Sequence, residues 1–484
     1  MTERSRTCQD VVIGSGAGGA VLAARLAEAG RDVVLVEEGP RVSRADFNQR
    51  EGDMYALLYR DAGGQATADG AISVLQGRCL GGSTTINMGD VVPMEEAVLE
   101  HWRQHHGWAS WGGITNADVE RAAAVAQRDI GANTIPDAFI NANNRLLADG
   151  AAELGLAGGP LDHNRTGCVG SGYCLIGCSY DAKKGTLLSH VPRAEAAGAT
   201  VWCDAPASHI EQSSSGRLHV LGAFSLVCDR VFVCAGTVHT PGILGRSGLG
   251  GPALGRHLSL QPQGPMLALF DRDIVLFRGI PQSYAVDGAI EATAEHGLGG
   301  FAIEGVAGGP AMTASTMPLP MRDLRPLLQR YRQSAAALCL VPDRPSGRVV
   351  WEGKRPTIEY TPTAEYTHRL REALKTAARI YLAAGAETVM PPAVDAPQIR
   401  TEADVALIDG MPLRSCDLSM ISAHPQGSCR MGPDPATSVV GMDFRVHGTN
   451  GVFVCDASLF PTTSSTHTMV PVMTMAHLLA DSLT

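Results

Sequence analysis

The chain has 484 residues, with 39 Lys and Arg against 49 Asp and Glu, giving a formal net charge of −10. At 45% hydrophobic and 18% charged residues it has the composition of a chain with a large buried core, which excludes disorder, and its length calls for two or three domains. An acidic balance without a Lys/Arg cluster excludes nucleic acid and an anionic membrane as main partners, because both need a concentrated positive surface.

The first ten residues form a short polar lead without an apolar signal core, and no run approaches the length of a membrane helix, so neither export nor membrane insertion is expected. The twelve cysteines are too sparse for a disulfide framework. Most lie in apolar strand-like runs, as Cys234 does, and read as buried thiols in a reducing cytoplasm. The 55 glycines fall in short signatures, where the backbone needs special geometry, and not in linkers.

Asp10-Val-Val-Ile runs as a strand into Gly14-Ser-Gly-Ala-Gly-Gly, then into an Ala/Leu-rich helix from Val21, and Arg31 to Gly39 reads as a second buried strand. This is a βαβ unit with the fingerprint of dinucleotide binding. Gly14 permits the tight turn, Gly16 lets the backbone approach a pyrophosphate, and Gly19 lets helix and strand pack closely. The helix N-terminus offers free N–H groups to the phosphates, and Glu37, at the end of the second strand, is placed to accept hydrogen bonds from ribose hydroxyls. A fingerprint this close to the N-terminus that is not repeated later suits FAD better than NAD.

Gly77 to Asn87 combines the pair Gly81-Gly82 with Ser83 and Asn87, a loop able to lie flat against a planar ring system. Gly167 to Thr186 then holds Cys168, Cys174 and Cys178 within eleven residues. Three thiolates at such spacing can hold an iron–sulfur cluster or, with a fourth ligand, zinc, but ordinary structural thiols are the preferred reading and no metal is expected. The segment from Ser225 to Gly248 is a buried strand, a turn at Ala235-Gly236, and a helix start at Thr240-Pro241. Further on, Arg348 to Glu352 and Thr357 to Thr361 read as strands, and Tyr366 to Ala384 as an amphipathic helix. The loop from Ile303 to Pro318 is either a mobile cover or a plain connection. Two His-bearing motifs close the chain: His424-Pro-Gln-Gly-Ser-Cys-Arg-Met-Gly, and Gly451 to His477, which includes Asp456-Ala457-Ser and His467-Thr468-Met469 before a final helix.

Together and in this order, these motifs resemble the glucose–methanol–choline (GMC) family of FAD-dependent oxidoreductases from one end of the chain to the other. The resemblance implies an α/β fold: a Rossmann-like FAD-binding domain with an interleaved α+β substrate-binding domain of GMC type. The FAD-binding domain would be discontinuous, at 1–92, 167–258 and 419–484. The substrate-binding domain and connecting segments would take 93–166, around Trp102, Trp108 and Trp111, together with 259–418. It also implies that His424 and His467, 43 residues apart, are the catalytic pair. Cofactor contacts would come from Gly14, Gly16, Gly19, Glu37, Gly81, Gly82, Ser83, Asn87, Ala235, Gly236, Asp456, Ala457, Thr468 and Met469.

The chemistry supports this pair independently of the resemblance. Oxidising an alcohol by hydride transfer requires removal of the hydroxyl proton, a task suited to a neutral imidazole with a pKa near 7. Two imidazoles clamp one oxygen and stabilise its developing charge, and the final helix, if its N-terminus faces the flavin, favours the anionic reduced form. Some family members attach FAD covalently through a His at the position of Ile86, so here FAD is expected to be non-covalent. The chain is shorter than many members, which implies a trimmed substrate region.

The implied function is oxidation of an alcohol to an aldehyde or ketone, with oxygen or an external carrier as electron acceptor. The expected substrate is a polar sugar-like or aminosugar primary alcohol, as in the compact bacterial dehydrogenases of aminoglycoside (paromamine-type) antibiotic biosynthesis. A long-chain or sterol-like alcohol oxidase is the alternative within the class, and a flavin-dependent lyase or decarboxylase the alternative outside it.

Overall fold

Strands from the two ends of the chain meet in one sheet. The computed structural model describes residues 4–108, 114–213, 216–287, 299–317, 319–414, 417–464 and 467–484. Trp111 and Pro318 lie outside the described residues. Five parallel strands run in the order Val452–Val454, Arg230–Val233, Asp10–Ile13, Val33–Val36, Thr200–Trp202. Their near-continuous Val/Ile/Leu sequences reflect burial on both faces, the condition under which a parallel sheet is stable. At the entrance of three of these strands the buried Asp10 carboxylate is shared by two guanidiniums, Arg31 and Arg230, with Arg230 Nε at 2.7 Å. The pairing is bidentate on both sides, the arrangement in which a buried carboxylate keeps its lone pairs satisfied.

Helix Gly19–Glu28 fills the crossover between the first two strands and turns Val21, Leu22 and Leu26 into the core. It packs against helix His190–Ala196 and the C-terminal helix Met469–Leu483, whose first twelve residues are all buried. Helix Asn116–Asp129 lies against that C-terminal helix and begins with a capping box between Thr115 and Asp118. The segment around Trp102 and Trp108 was expected with the substrate half. Instead both indoles are fully buried in the core of the parallel sheet, Trp102 packed on Phe460 and donating from Nε1 to Thr462 Oγ1 at 2.7 Å. The reason is that Val119, Ala122 and Ala126 give the following helix an apolar stripe whose partner is the C-terminal helix.

A second core forms on a mixed, mostly antiparallel sheet of eight strands. It runs Ile72–Val74, Met420–Ser422, Gln263–Leu269, Ser334–Leu340, Ala302–Gly305, Tyr284–Asp287, Gly158–Pro160, with Thr388–Met390 paired onto Gln263–Leu269. Helix Ala364–Ala383 covers it with Tyr366, Leu370, Ala373, Leu374, Ala377 and Tyr381, a helical apolar face, and the Thr363 hydroxyl caps its start. The expected strands near residues 350 and 358 form as the hairpin Gly347–Glu352 and Arg355–Glu359. The segment expected as a loop from Ile303 is more ordered than that: Ile303 to Gly305 completes a strand, and Pro310–Thr316 is a helix. Both Glu51 carboxylate oxygens accept backbone N–H groups of that helix, from Ala311 and Met312. Among the described residues, no helix is long and apolar enough to cross a membrane.

Candidate active site

Residues from both sheets line one cavity. Gly14 adopts φ +98°, and a Cβ there would meet the Cys234 carbonyl oxygen at 2.3 Å, so the turn after the first strand requires glycine. Gly16 presents an open backbone to the cavity, with nothing within 4 Å of where its Cβ would be. Gly19 is not on the cavity wall: its Cβ would fall 1.9 Å from the Gly14 carbonyl oxygen, so it serves the close packing of helix on turn.

Glu37 lines the cavity with its carboxylate already bonded to protein. Ser15 donates from N (3.0 Å) and Oγ (2.6 Å) to Oε2, and Gly39 N donates to Oε1 at 2.8 Å. Burial pushes its carboxyl up, and these bonds oppose the rise. The Ser15 hydroxyl also accepts from Gly81 N at 2.9 Å, tying the dinucleotide turn to the second glycine loop. Gly81, expected among the cofactor contacts, stands behind the wall in this tie, whereas Gly82, Ser83 and Asn87 reach the cavity. The loop ends in a short helical turn, Ser83–Ile86. Behind it the buried Lys183 ammonium donates to three backbone carbonyls, including those of Thr85 (2.9 Å) and Cys174 (2.8 Å). Burial pushes the Lys183 amine down to about 8.

This neighbourhood gives the cysteine segment its structural role. The buried Cys174 offers its carbonyl to Lys183 and its sulfur to Arg165 Nη2 at 3.3 Å. Among the described residues, no set of three His, Cys, Asp or Glu ligand atoms within 4.8 Å of one another includes Cys168, Cys174 or Cys178.

Ala235, Gly236, Asp456, Ala457, Thr468 and Met469 all line the cavity. The buried Asp456 carboxylate accepts from Gly236 N (2.9 Å), Thr240 Oγ1 (2.6 Å) and Ser458 N (2.8 Å), joining the turn after one parallel strand to the turn after its neighbour. The helix that begins at Met469 starts at the wall, with Thr468, Met469 and Val472 in its lining.

His424 and His467 face each other in the same cavity, their ring centroids 5.1 Å apart and inclined at 63°. They are not equivalent. His424 Nδ1 lies 2.8 Å from Gln261 Oε1 and 3.2 Å from Gln263 Nε2; taking the shorter contact as the hydrogen bond assigns the proton to Nδ1 and the lone pair to Nε2. Burial, followed by the neighbouring His467, pushes His424 down to about 3. His467 Nε2 lies 3.4 Å from both Asp90 Oδ2 and Glu304 Oε2. Burial alone would push His467 down, but Glu304 and then Asp90 outweigh it and take it up to about 10. The sequence reading, which called for a neutral imidazole with a pKa near 7, misses this asymmetry because neither carboxylate belongs to a motif.

Other cavity residues were also absent from that reading. Glu38 pairs with Arg60 and with Arg78, the latter at 3.3 Å; burial pushes its carboxyl up, but the bonds to Arg60 prevail and hold it at about 2. Gln76 and His239 complete that group. Gln76 Oε1, His239 Nε2 and Asn87 Oδ1 are buried without a protein hydrogen-bond partner, though each residue lines the cavity. Polar atoms in this position call for a polar occupant. With the open backbone of Gly16, they fit a dinucleotide such as FAD.

The comparisons agree with this geometry. The family model described as GMC oxidoreductase matches residues 55–263 in its N-terminal part and 343–476 in its C-terminal part, and a model of the NAD(P)-binding Rossmann-like domain matches 12–64. An uncharacterised GMC-type oxidoreductase of Mycobacterium tuberculosis is 34% identical over 97% of this chain and 75% of its own length. The chain belongs to the GMC oxidoreductase family. It is accordingly an FAD-dependent oxidoreductase. This GMC enzyme is also similar to a long-chain-alcohol oxidase of Arabidopsis thaliana, at 26% identity over 97% of this chain and 67% of the other. Its fold is shared with pyridoxine 4-oxidase from Mesorbium loti, at TM-score 0.73 and 19% identity over 98% of this chain and 99% of the other. Formate oxidase shares it too, at TM-score 0.71 and 15% identity over 99% and 98%.

Proposed function

We propose that this GMC enzyme oxidises an alcohol to an aldehyde or ketone, with His424 as the base and His467 as the partner that stabilises the alkoxide. The observation that carries the reading is the pairing of the two imidazoles in the cavity that the fingerprint glycines also line. FAD, when bound, would supply the hydride acceptor, with oxygen or an external carrier as the electron acceptor. FAD would be held by Gly14, Gly16, Glu37, Gly82, Ser83, Asn87, Ala235, Gly236, Asp456, Ala457, Thr468 and Met469, all lining residues, with Gly19 and Gly81 shaping the wall from behind. His424 takes the hydroxyl proton at Nε2, the nitrogen that Gln261 leaves free. The surrounding apolar side chains, among them Leu338 and Ile421, exclude water and strengthen the polar contacts inside.

The domain division that goes with this reading is an FAD-binding half at 1–92, 167–258 and 419–484, with the substrate half and connecting segments at 93–166 and 259–418. The described cysteines are all free thiols, in keeping with a reducing cytoplasm. For the substrate we propose a polar primary alcohol of sugar or aminosugar type, which Gln263 and Gln282 on the wall would contact. A long-chain alcohol is the second reading, favoured by Met88, Val306, Met312, Leu338 and Ile421 on the same wall and by the Arabidopsis relative.

Anaerobic titration against a panel of amino sugars, sugars and long-chain alcohols tests both readings. The flavin is expected to bleach with one class. Substrate consumption without net flavin reduction would instead indicate a lyase, and inertness to every alcohol would sink the proposal. FAD is proposed to be non-covalent, because the buried Ile86 hydrocarbon on the wall cannot bond to it. Acid precipitation is expected to release all the flavin into the supernatant; a yellow pellet would refute this.

A further inference from the structure

The two histidines of the cavity stand in opposite electrostatic surroundings. Asp90 follows the second glycine loop, while Glu304 lies on strand Ala302–Gly305, more than two hundred residues away in sequence. The fold nevertheless brings one oxygen of each to 3.4 Å from His467 Nε2, and all three side chains are buried. Gln282 donates to Glu304 Oε2, and His163 Nε2 lies 2.7 Å from Asp90 Oδ1. Among the described residues, the charged and titratable groups around His467 are these two carboxylates and His424, with Arg165 and His163 behind Asp90. Among the described residues the hydrogen-bond partners of the His424 ring are amides, Gln261 and Gln263, and Asp90 acts on it through space.

We propose that Asp90 and Glu304 are positioning residues that hold His467 as an imidazolium, so that His467 is the fixed cation of the site and His424 its only base. Two carboxylates within a few ångströms of a buried imidazole favour its charged form, and that charge in turn disfavours a second one on His424. The shifts of the two rings, His467 up to about 10 and His424 down to about 3, run in this direction. A permanent cation beside the substrate oxygen lowers the energy of the alkoxide and compensates for the weak basicity of His424. The proton removed from the hydroxyl ends on His424, while the His467 proton stays in place and stabilises the oxygen it faces.

The proposal deepens the preceding reading and rests on it, but its test needs no substrate. Holoenzyme carrying ¹⁵N-labelled histidine is titrated by NMR, and His467 is identified by the signal lost in His467→Gln. A raised pKa means that the cation is present at low pH and lost only as pH rises through the folded-state value. His467 is therefore expected to carry both ring protons at about pH 8, where an ordinary imidazole is neutral. In Asp90→Asn/Glu304→Gln its pKa is expected to fall by about two units or more. The alkaline limb of anaerobic flavin reduction should move to lower pH by the same amount, and the single variant Asp90→Glu should move it back toward the wild-type position.

A neutral His467 at that pH in the wild-type protein overturns the proposal even if the double variant does not fold. So does an unchanged titration in the double variant, or a stoichiometric divalent ion found with the three side chains. A neutral His467 in an enzyme that alcohols still bleach defeats this inference alone. A protonated His467 in a protein that no alcohol bleaches defeats the reading of the function.

Discussion

Replacing His424 by Ala is expected to slow anaerobic reduction of the flavin by the alcohol about 10²- to 10⁴-fold, the range that a positioned general base contributes. The size follows from the site. Proton removal needs a lone pair directed at the substrate, and the shorter of the two Nδ1 contacts, to Gln261 Oε1 at 2.8 Å, assigns the His424 proton to Nδ1. His467 is held as its cation by the proposed pairing with Asp90 and Glu304 and has no lone pair to substitute. The wall contacts expected for FAD do not include the His424 ring, so the variant should retain bound flavin and its melting temperature. Stopped-flow reduction at saturating alcohol measures the effect. A rate within about threefold of wild type would assign the proton to another acceptor and sink the mechanism.

The second large effect is expected at Gly14→Ala, at the other side of the cavity. The new methyl group would meet the Cys234 carbonyl oxygen at 2.3 Å, and that oxygen belongs to the backbone of the adjoining strand end, which cannot swing aside. The residue also sits at φ +98°, where an L side chain is strained. Left-handed strain of 1–2 kcal/mol and overpacking of similar size together give a destabilisation of about 3 kcal/mol. Because the turn forms the cavity wall, flavin content should fall with stability. Thermal melting and the flavin-to-protein absorbance ratio report both. Full flavin occupancy at an unchanged melting temperature would show that the turn tolerates a side chain and that the strand end moves.

The parallel sheet was legible because its information is local. The run Asp10-Val-Val-Ile followed by glycines at 14, 16 and 19 specifies strand, turn and helix within a few residues, and each choice of residue has a backbone reason. Helix Ala364–Ala383 was legible for the same reason, since its apolar positions repeat at the helical period over the whole element. Trp102 and Trp108 were misplaced because a large apolar residue announces burial without saying against what. The segment after Ile303 was left open between cover and connection, since its Gly, Ala, Ser and Met mark no period; its helix is held by Glu51 from a distant part of the chain.

The sequence by itself determined the dinucleotide-binding unit, the family and the candidate pair His424 and His467, because these rest on short motifs whose residue types are set by local backbone geometry and bond chemistry. It also determined that Ile86 offers flavin no covalent link. Only the tertiary structure decided the different surroundings of the two rings. Asp90 and Glu304 occur in no motif and lie far apart in the chain; their effect on His467 depends on two distances of 3.4 Å and on shared burial. Electrostatic energy depends on separation and local dielectric, neither of which is encoded near the residues concerned.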